Sequence, residues 1–236
     1  MISNMPNDGL IIAVDGPSGA GKSTACRAVA NQLDAKYLDT GAMYRVATLH
    51  VLRKGIDPAD EQAVVEATAS LPMQVNDDPA STEVLLAGED VSREIRGPEV
   101  TKNVSQVSAY PQVRENLVAL QRVLASEAHR CIVDGRDIGT TVLVNAPVKI
   151  FLTASAEVRA RRRYNQDIAA GRSVEFEAVL ADVQRRDELD SNRAVSPLRP
   201  ADDATIVDTS DMTFDQVVDS LIELARVSAE AAKKGA

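Results

Sequence analysis

The first patterned stretch is a continuous apolar run over residues 10–14, the pattern of a strand buried on both faces of a parallel sheet. A glycine-rich turn follows. Apolar residues Cys26, Val29, Ala30 and Leu33 then recur at helical spacing, which predicts a helix over 22–33. A second helix over about 42–54 carries Met43, Val46, Ala47 and His50 on one face. From 57 to 98 the pattern changes. Asp57-Pro58 predicts the start of a short helix ending near Ser70. Short apolar runs at 73–75 and 84–86, bounded by Asn76-Asp77-Asp78-Pro79 and Gly88-Glu89-Asp90, predict a small inserted antiparallel sheet. Helices resume at Pro98 and Pro111, both read as first-turn prolines.

Alternation then returns. Strands are expected at 131–133, ending at Asp134-Gly135, and at 148–152. Ser155 caps a helix that runs to about 170 and stops at Gly171. A helix from about 175 places Phe176, Val179, Leu180 and Val183 on one face. A last strand at 205–207 precedes a terminal helix with a capping box, Thr213 and Gln216. Strands alternating with helices predict an α/β fold with a parallel sheet covered on both faces. Residues 1–8 and 229–236 are expected to fray.

Composition narrows the function classes. The 236 residues carry 35 acidic and 26 basic side chains, a net charge of -9, and only 3% are aromatic. That balance argues against a protein that coats nucleic acid or stacks bases on aromatic platforms. Nineteen of the basic residues are Arg, and nine of these fall between Arg159 and Arg199. With seven acids and no Lys, that segment sums to +2, against -11 for the rest. Arg grips phosphate and carboxylate in bidentate fashion, so a local anion site is expected there. Two cysteines, Cys26 and Cys131, make no disulfide framework and point to a reducing cytoplasm. Two histidines, His50 and His129, build no histidine-rich metal site. No signal peptide or membrane span is legible.

The turn Gly16-Pro17-Ser18-Gly19-Ala20-Gly21-Lys22-Ser23, with Thr24 following, fits G-x-x-x-x-G-K-[ST] and sits between a strand and a helix, as that motif requires. Its glycines let successive backbone N–H groups wrap phosphate oxygens, and the helix N-terminus points at the same anion. Lys22 reaches the β- and γ-phosphates and the Ser23 hydroxyl ligates Mg²⁺. The loop implies nucleoside triphosphate binding without naming an acceptor.

Other residues are suggestive by placement. Tyr44 and Arg45 open the second helix near the loop; Arg45 is either a clamp for a second phosphate-bearing molecule or a surface ion pair. Arg136 and Asp137 lie past a strand's carboxyl end, where open α/β sheets bind ligands. Asp134 reads equally as a Walker-B acid and as a turn cap. Arg186, Asp190 and Arg193, spaced i, i+4, i+7, share a helical face, as a surface salt bridge or as a site at a helix end. Arg159, Arg162 and Arg163 share a face of the helix after Ser155, while Arg161 points elsewhere. That face is either solvated or a lid that spreads the charge of a transferring phosphoryl group.

Asp39-Thr40-Gly41-Ala42-Met43-Tyr44-Arg45, Asp134-Gly135-Arg136-Asp137-Ile138-Gly139-Thr140, and Arg185-Arg186-Asp187 to Asp190-Ser191-Asn192-Arg193 resemble, in order and spacing, the motifs of the bacterial-type cytidylate kinases. With the phosphate loop they span nearly the whole chain. The resemblance implies a P-loop NTPase fold of three α/β/α layers over residues 1–236, as a single domain. It also implies an inserted monophosphate-binding region over about 41–104 and a short helical lid over about 156–175. The implied reaction is ATP-dependent phosphorylation of CMP and dCMP with Mg²⁺. Charge, cysteine usage and the lack of a span add the expectation of a cytoplasmic enzyme with no nucleic-acid or membrane partner; a monomer is expected, though nothing in the sequence speaks to oligomeric state. By the same resemblance Thr40, Tyr44 and Arg45 hold the monophosphate, as does Arg136. Ser105, Arg114 and Asp137 read the cytosine. Arg186 and Arg193 sit on phosphates and Asp190 on the ribose hydroxyls. Ser105 and Arg114 come from the resemblance alone, since nothing in their spacing marks them. No catalytic base is expected, because a phosphate monoester with a second pKa of about 6 is already anionic at neutral pH. Competing readings are a P-loop kinase for another small acceptor, a nucleotide switch without an acceptor, and a nucleic-acid NTPase.

Overall fold

The computed structural model describes residues 10–234, with side chains described to 228. In chain order the strands are β1 (Leu10–Asp15), β2 (Lys36–Asp39), β3 (Met73–Gln74), β4 (Leu85–Leu86), β5 (Glu89–Asp90), β6 (Arg130–Gly135), β7 (Val148–Thr153) and β8 (Thr205–Asp208). The α-helices are α1 (Lys22–Leu33), α2 (Thr40–Arg53), α3 (Glu61–Thr68), α4 (Pro98–Val107), α5 (Pro111–Glu127), α6 (Ala156–Ala169), α7 (Phe176–Ser191) and α8 (Phe214–Lys234). A 3₁₀ turn covers Glu94–Arg96 and a π-helical turn Ile138–Val142.

The apolar run that opens the pattern becomes the central strand of a five-stranded parallel sheet of order β2-β6-β1-β7-β8. Successive side chains of a strand point to opposite faces. Leu10, Ile12 and Val14 therefore join Tyr37, Ile132, Ile150 and Leu152 in one core layer with α1 and α8. Ala13 joins Leu38, Cys131 and Val133 in the other layer, beneath α2 and α5. Helices on both faces explain why β1 and β6 are apolar without alternation. Both cysteines are free and buried. Among the described residues no helix is long and apolar enough to cross a membrane.

Helix ends follow local chemistry. α8 begins with the expected reciprocal box: Thr213 N–H donates to Gln216 Oε1 (2.9 Å) and Gln216 N–H to Thr213 Oγ1 (3.3 Å). Ser155 accepts from Val158 N–H and Asp39 from Ala42 N–H, capping α6 and α2. Pro98 and Pro111 start α4 and α5.

Several expectations are corrected. β2 was not foreseen: only Tyr37 and Leu38 of its four residues are apolar, and parallel pairing with β6 makes it a strand. α2 starts at Thr40 rather than 42. α3 starts after Asp60, which caps it, while Asp57-Pro58 lies in a preceding turn closed by Asp60 N–H to Asp57 C=O. The inserted sheet has three strands, with Glu89-Asp90 pairing on β4 instead of ending the sheet. The two-residue turn between β4 and β5 has Ala87 and Gly88 both at positive φ, the hairpin geometry that matches strand twist. α8 stays helical through Lys234, where fraying was expected; the fraying expected at residues 1–8 lies outside the described residues.

The insert is tied to the sheet edge. Tyr37 N–H donates to Asp77 C=O (2.9 Å), Lys36 pairs with Asp77, and Arg27 of α1 stacks on Tyr37 while donating to the carbonyls of Pro79 and Ser81. The loops after β1, β2, β6, β7 and β8 all lie at the carboxyl edge of the sheet. β1 is flanked there by β6 and β7, so crossovers diverge to either side and open a crevice.

Candidate active site

At the mouth of that crevice the β1–α1 turn wraps tightly. Gly16 has φ +148°, and a Cβ there would lie 1.9 Å from the Leu152 carbonyl oxygen, so only glycine fits beside β7. Gly21, at φ +87°, occupies the N-cap of α1 without a side-chain cap, leaving the first-turn N–H groups facing the cleft. Lys22 Nζ donates to the carbonyls of Gly16 (2.8 Å) and Pro17 (2.9 Å), so the loop's own backbone holds the ammonium. Burial, then Arg136, lowers the Lys22 pKa below the usual lysine range. Thr24 lies exposed on the cleft side of α1.

Ser23 Oγ donates to Asp134 Oδ2 at 2.8 Å, and Tyr37 Oη to the same oxygen at 3.1 Å. This resolves the open reading of Asp134: its carboxylate faces the phosphate loop across the strands and caps no turn. Burial, then Asp39, raises its pKa. A hydroxyl beside a buried carboxylate is a hard-oxygen donor set that suits Mg²⁺. Among the described residues no three His, Cys, Asp or Glu side chains converge as a metal cluster. A cation at Ser23 and Asp134 would therefore take most of its oxygens from phosphates and water.

Facing the loop is a crowd of arginines. Arg45 donates to Ile95 C=O (2.9 Å) and Thr101 Oγ1 (3.0 Å). Arg136 Nε donates to Asp190 Oδ2 (3.0 Å). Burial and then Arg186 and Arg163 lower the Arg45 pKa, and burial and then Arg136 lower that of Arg186. Burial alone would raise the Asp190 carboxyl, but Arg136, Arg193 and Arg186 outweigh it and hold it low. Among the described residues Arg186 Nε and Arg193 Nη2 are buried and find no protein acceptor. Buried donors without acceptors beside mutually repelling cations call for bound anions.

Deeper in, Arg114 Nη2 donates to Asp137 Oδ2 at 2.5 Å, with both side chains nearly inaccessible. The Arg114 guanidinium stands 5.3 Å over the Tyr44 ring, and Ser105 lines the same wall. Thr40 Oγ1 donates to Asp134 C=O (2.7 Å), joining the start of α2 to the end of β6.

The three arginines of α6 separate. Arg162 donates to Thr209 C=O (2.7 Å), to Thr209 Oγ1 (3.1 Å) and, more weakly, to Ala20 C=O. Arg159 is only 4% exposed and bound to Asp187. Arg163 pairs through Nε with Asp167 and lines the cleft. Arg161 stacks on Phe176, 4.0 Å from the ring centre, away from this face as expected.

Asp15 belongs to no spaced motif and still shapes the site. Its carboxylate accepts from Ile138 N–H (2.7 Å) and Gly139 N–H (2.8 Å), pinning the loop that carries Arg136 and Asp137. Its position at the end of β1 was the one available signal. Asp187 stands in the sequence only as a member of the motif from Arg185 to Arg193.

The cleft encloses about 1770 Å³, more than the roughly 300–1,000 Å³ of a site for one small ligand. It is bounded by a phosphate loop on one side and an arginine-rich wall on the other, with a polar recess behind. Its volume has room for more than one small ligand.

The cytidylate kinase family model matches residues 12–227. A cytidylate kinase of Corynebacterium glutamicum is 74% identical over 226 residues, covering 96% of this chain and 98% of that protein. One of Corynebacterium diphtheriae is 74% identical with the same coverage. Among solved structures, a gluconokinase from Sinorhizobium meliloti 1021 superposes with a TM-score of 0.52 at 16% identity, over 97% of this chain and 98% of that one. That likeness concerns the fold.

Proposed function

The chain belongs to the cytidylate kinase family, and from that premise we propose how its cleft transfers a phosphoryl group from ATP to CMP and dCMP. The observation that carries the residue roles is the convergence of Arg45, Arg136, Arg163 and Arg186 opposite Lys22. Bound anions would relieve the mutual repulsion of such a cationic crowd. The loop Gly16 to Ser23, with Thr24, cradles the ATP phosphates, and Lys22 stays on the phosphate that moves. Arg45 and Arg136, helped by Thr40, Arg186 and Arg193, hold the phosphate of CMP. Asp190 takes the ribose hydroxyls. Ser105, Arg114 and Asp137 line the base recess, with Tyr44 beneath Arg114.

No base is required, because the attacking phosphate oxygen is already anionic. The difficulty is bringing two anions in line, and the guanidinium groups do that by charge and by fixed direction. Arg163 is the α6 arginine left to follow charge onto the moving group. Mg²⁺, held at Ser23 with Asp134 nearby, would screen the polyphosphate charge. The working units are a monophosphate region over about 41–104 and a lid over about 156–175 within one domain. Free, buried Cys26 and Cys131 suit a reducing cytoplasm, where we place the enzyme. We read the enzyme as a monomer, a reading supported by the proposed site residues all lining one cleft of a single chain.

A coupled ADP-release assay with a panel of monophosphates tests the function. CMP and dCMP should stand well ahead of UMP and AMP; ADP release indifferent to every monophosphate would defeat it. Asp190→Ala should raise KM for CMP by about 10–100-fold, the worth of a charged hydrogen bond to the 2′-hydroxyl. It should raise KM for dCMP, which lacks that hydroxyl, distinctly less. Equal effects on the two would remove Asp190 from the ribose.

A proton count tests Lys22. A polyphosphate beside it reverses the lowering of its pKa and restores the charged amine. ATP binding should therefore take up protons at about pH 8, where the unliganded amine is partly neutral, and fewer at about pH 6, where it is already charged. Calorimetry in buffers of different ionisation enthalpy measures this, and uptake that does not grow with pH would contradict it.

A further inference from the structure

Arg159 is held within the protein on every side. Its Nε donates to Ala154 C=O (2.8 Å) at the end of β7, and its Nη1 to Ser18 C=O (3.1 Å) in the phosphate loop. Nη1 and Nη2 then form a two-pronged pair with Asp187 Oδ1 (2.9 Å) and Oδ2 (2.5 Å) on α7. Four of its five N–H groups are thus committed within the protein. The backbone agrees with this: a Cβ at Gly19 would come 3.2 Å from Arg159 Cβ, so α6 abuts the loop here. On α7, Asp187 directly follows Arg186 and precedes Asp190 by three residues, on the helix that presents the acceptor contacts. On α6, Arg163 lies one turn beyond Arg159 on the same face.

We propose that Asp187 and Arg159 are positioning residues, a fixed strut that sets the distance between the phosphate loop and the acceptor-binding end of α7 and aims Arg163 into the cleft. A planar guanidinium held at three separate elements transmits direction as well as charge. In-line transfer depends on that alignment, and a displacement of about 1 Å can cost about 10²-fold in rate. The strut rests on the two-substrate reading of the cleft, which the unmodified enzyme's ADP release with CMP tests separately.

The experiment is steady-state kinetics, with ATP and CMP varied, on Asp187→Asn, Asp187→Glu, Arg159→Lys and the double variant Arg159→Lys/Asp187→Asn. Measurements are made below the unfolding transition of each variant. Asp187→Asn should lower kcat by about 10²-fold while KM for either substrate moves less than about 3-fold. Asp187→Glu, which keeps the carboxylate, should recover part of the rate. The double variant should be no slower than the worse single variant, because the two residues act as one unit. A kcat within about 3-fold of the parent for Asp187→Asn or Arg159→Lys would overturn the strut, leaving a purely structural ion pair. Multiplicative losses in the double variant would overturn it too, by showing that Arg159 acts on substrate without Asp187. Should Asp187→Asn not fold, Arg159→Lys alone decides, since it keeps the charge and loses the two-pronged geometry.

Discussion

Lys22→Ala is expected to lower kcat by about 10³-fold, within the range lost when a preorganised cation or donor on a transferring group is removed. The amine is the loop's one formal charge, and the backbone amides that remain hold the phosphates without following charge onto the γ-phosphoryl group. Folding should survive. The ammonium is buried and its charged form is disfavoured there, so its removal takes no essential prop from the core. The loop shape rests instead on glycines such as Gly16, which alone fits against Leu152. Single-turnover rates with saturating ATP and CMP, alongside thermal unfolding, check both halves. Undiminished transfer by a folded Lys22→Ala enzyme would take Lys22 out of the mechanism.

Asp137→Ala should have the largest effect on stability, and also on base choice. Its partner Arg114 is 3% exposed and would keep the Tyr44 ring face and, as hydrogen-bond acceptor, the Ser108 carbonyl alone. Breaking a buried pair on one side costs about 3–5 kcal/mol. Replacing both members with apolar groups, Arg114→Met with Asp137→Leu, should restore most of that stability, because no buried charge is left over. It should not restore selectivity. The ratio of kcat/KM for CMP over UMP should fall about 10²-fold in both variants, since the recess loses the polar groups that distinguish an amine from a carbonyl. Denaturant unfolding and the two-substrate ratio read the two effects apart. A double variant that preferred CMP as strongly as the parent would make the pair structural only.

These expectations draw unequally on sequence and on structure. Tyr44, Arg45, Arg136, Asp137, Arg186, Asp190 and Arg193 were placed by motif order, and the fold does bring them to one cleft. Ser105 and Arg114 had no signature of their own, since one buried Ser and one Arg on an amphipathic helix look like many others. Asp134 was ambiguous because its meaning depends on Ser23, 111 residues away. Arg159 looked equivalent to Arg163, because helical spacing reports a shared face and says nothing of what that face meets. Asp187, 28 residues on, makes the difference. β2 was illegible for a related reason: four residues with two apolar members carry no period until β6 supplies a partner.

The sequence by itself determined the alternation of strands and helices, the phosphate loop and the list of arginines. Each of these is written in local pattern, in backbone permissiveness or in charge along the chain. The tertiary structure alone decided which arginine lines the cleft and which packs against the phosphate loop, and which carboxylate meets a hydroxyl and which meets a guanidinium. Those are distances between residues far apart in the chain, fixed only when the sheet gathers five loops at one edge and burial makes each unpaired charge costly.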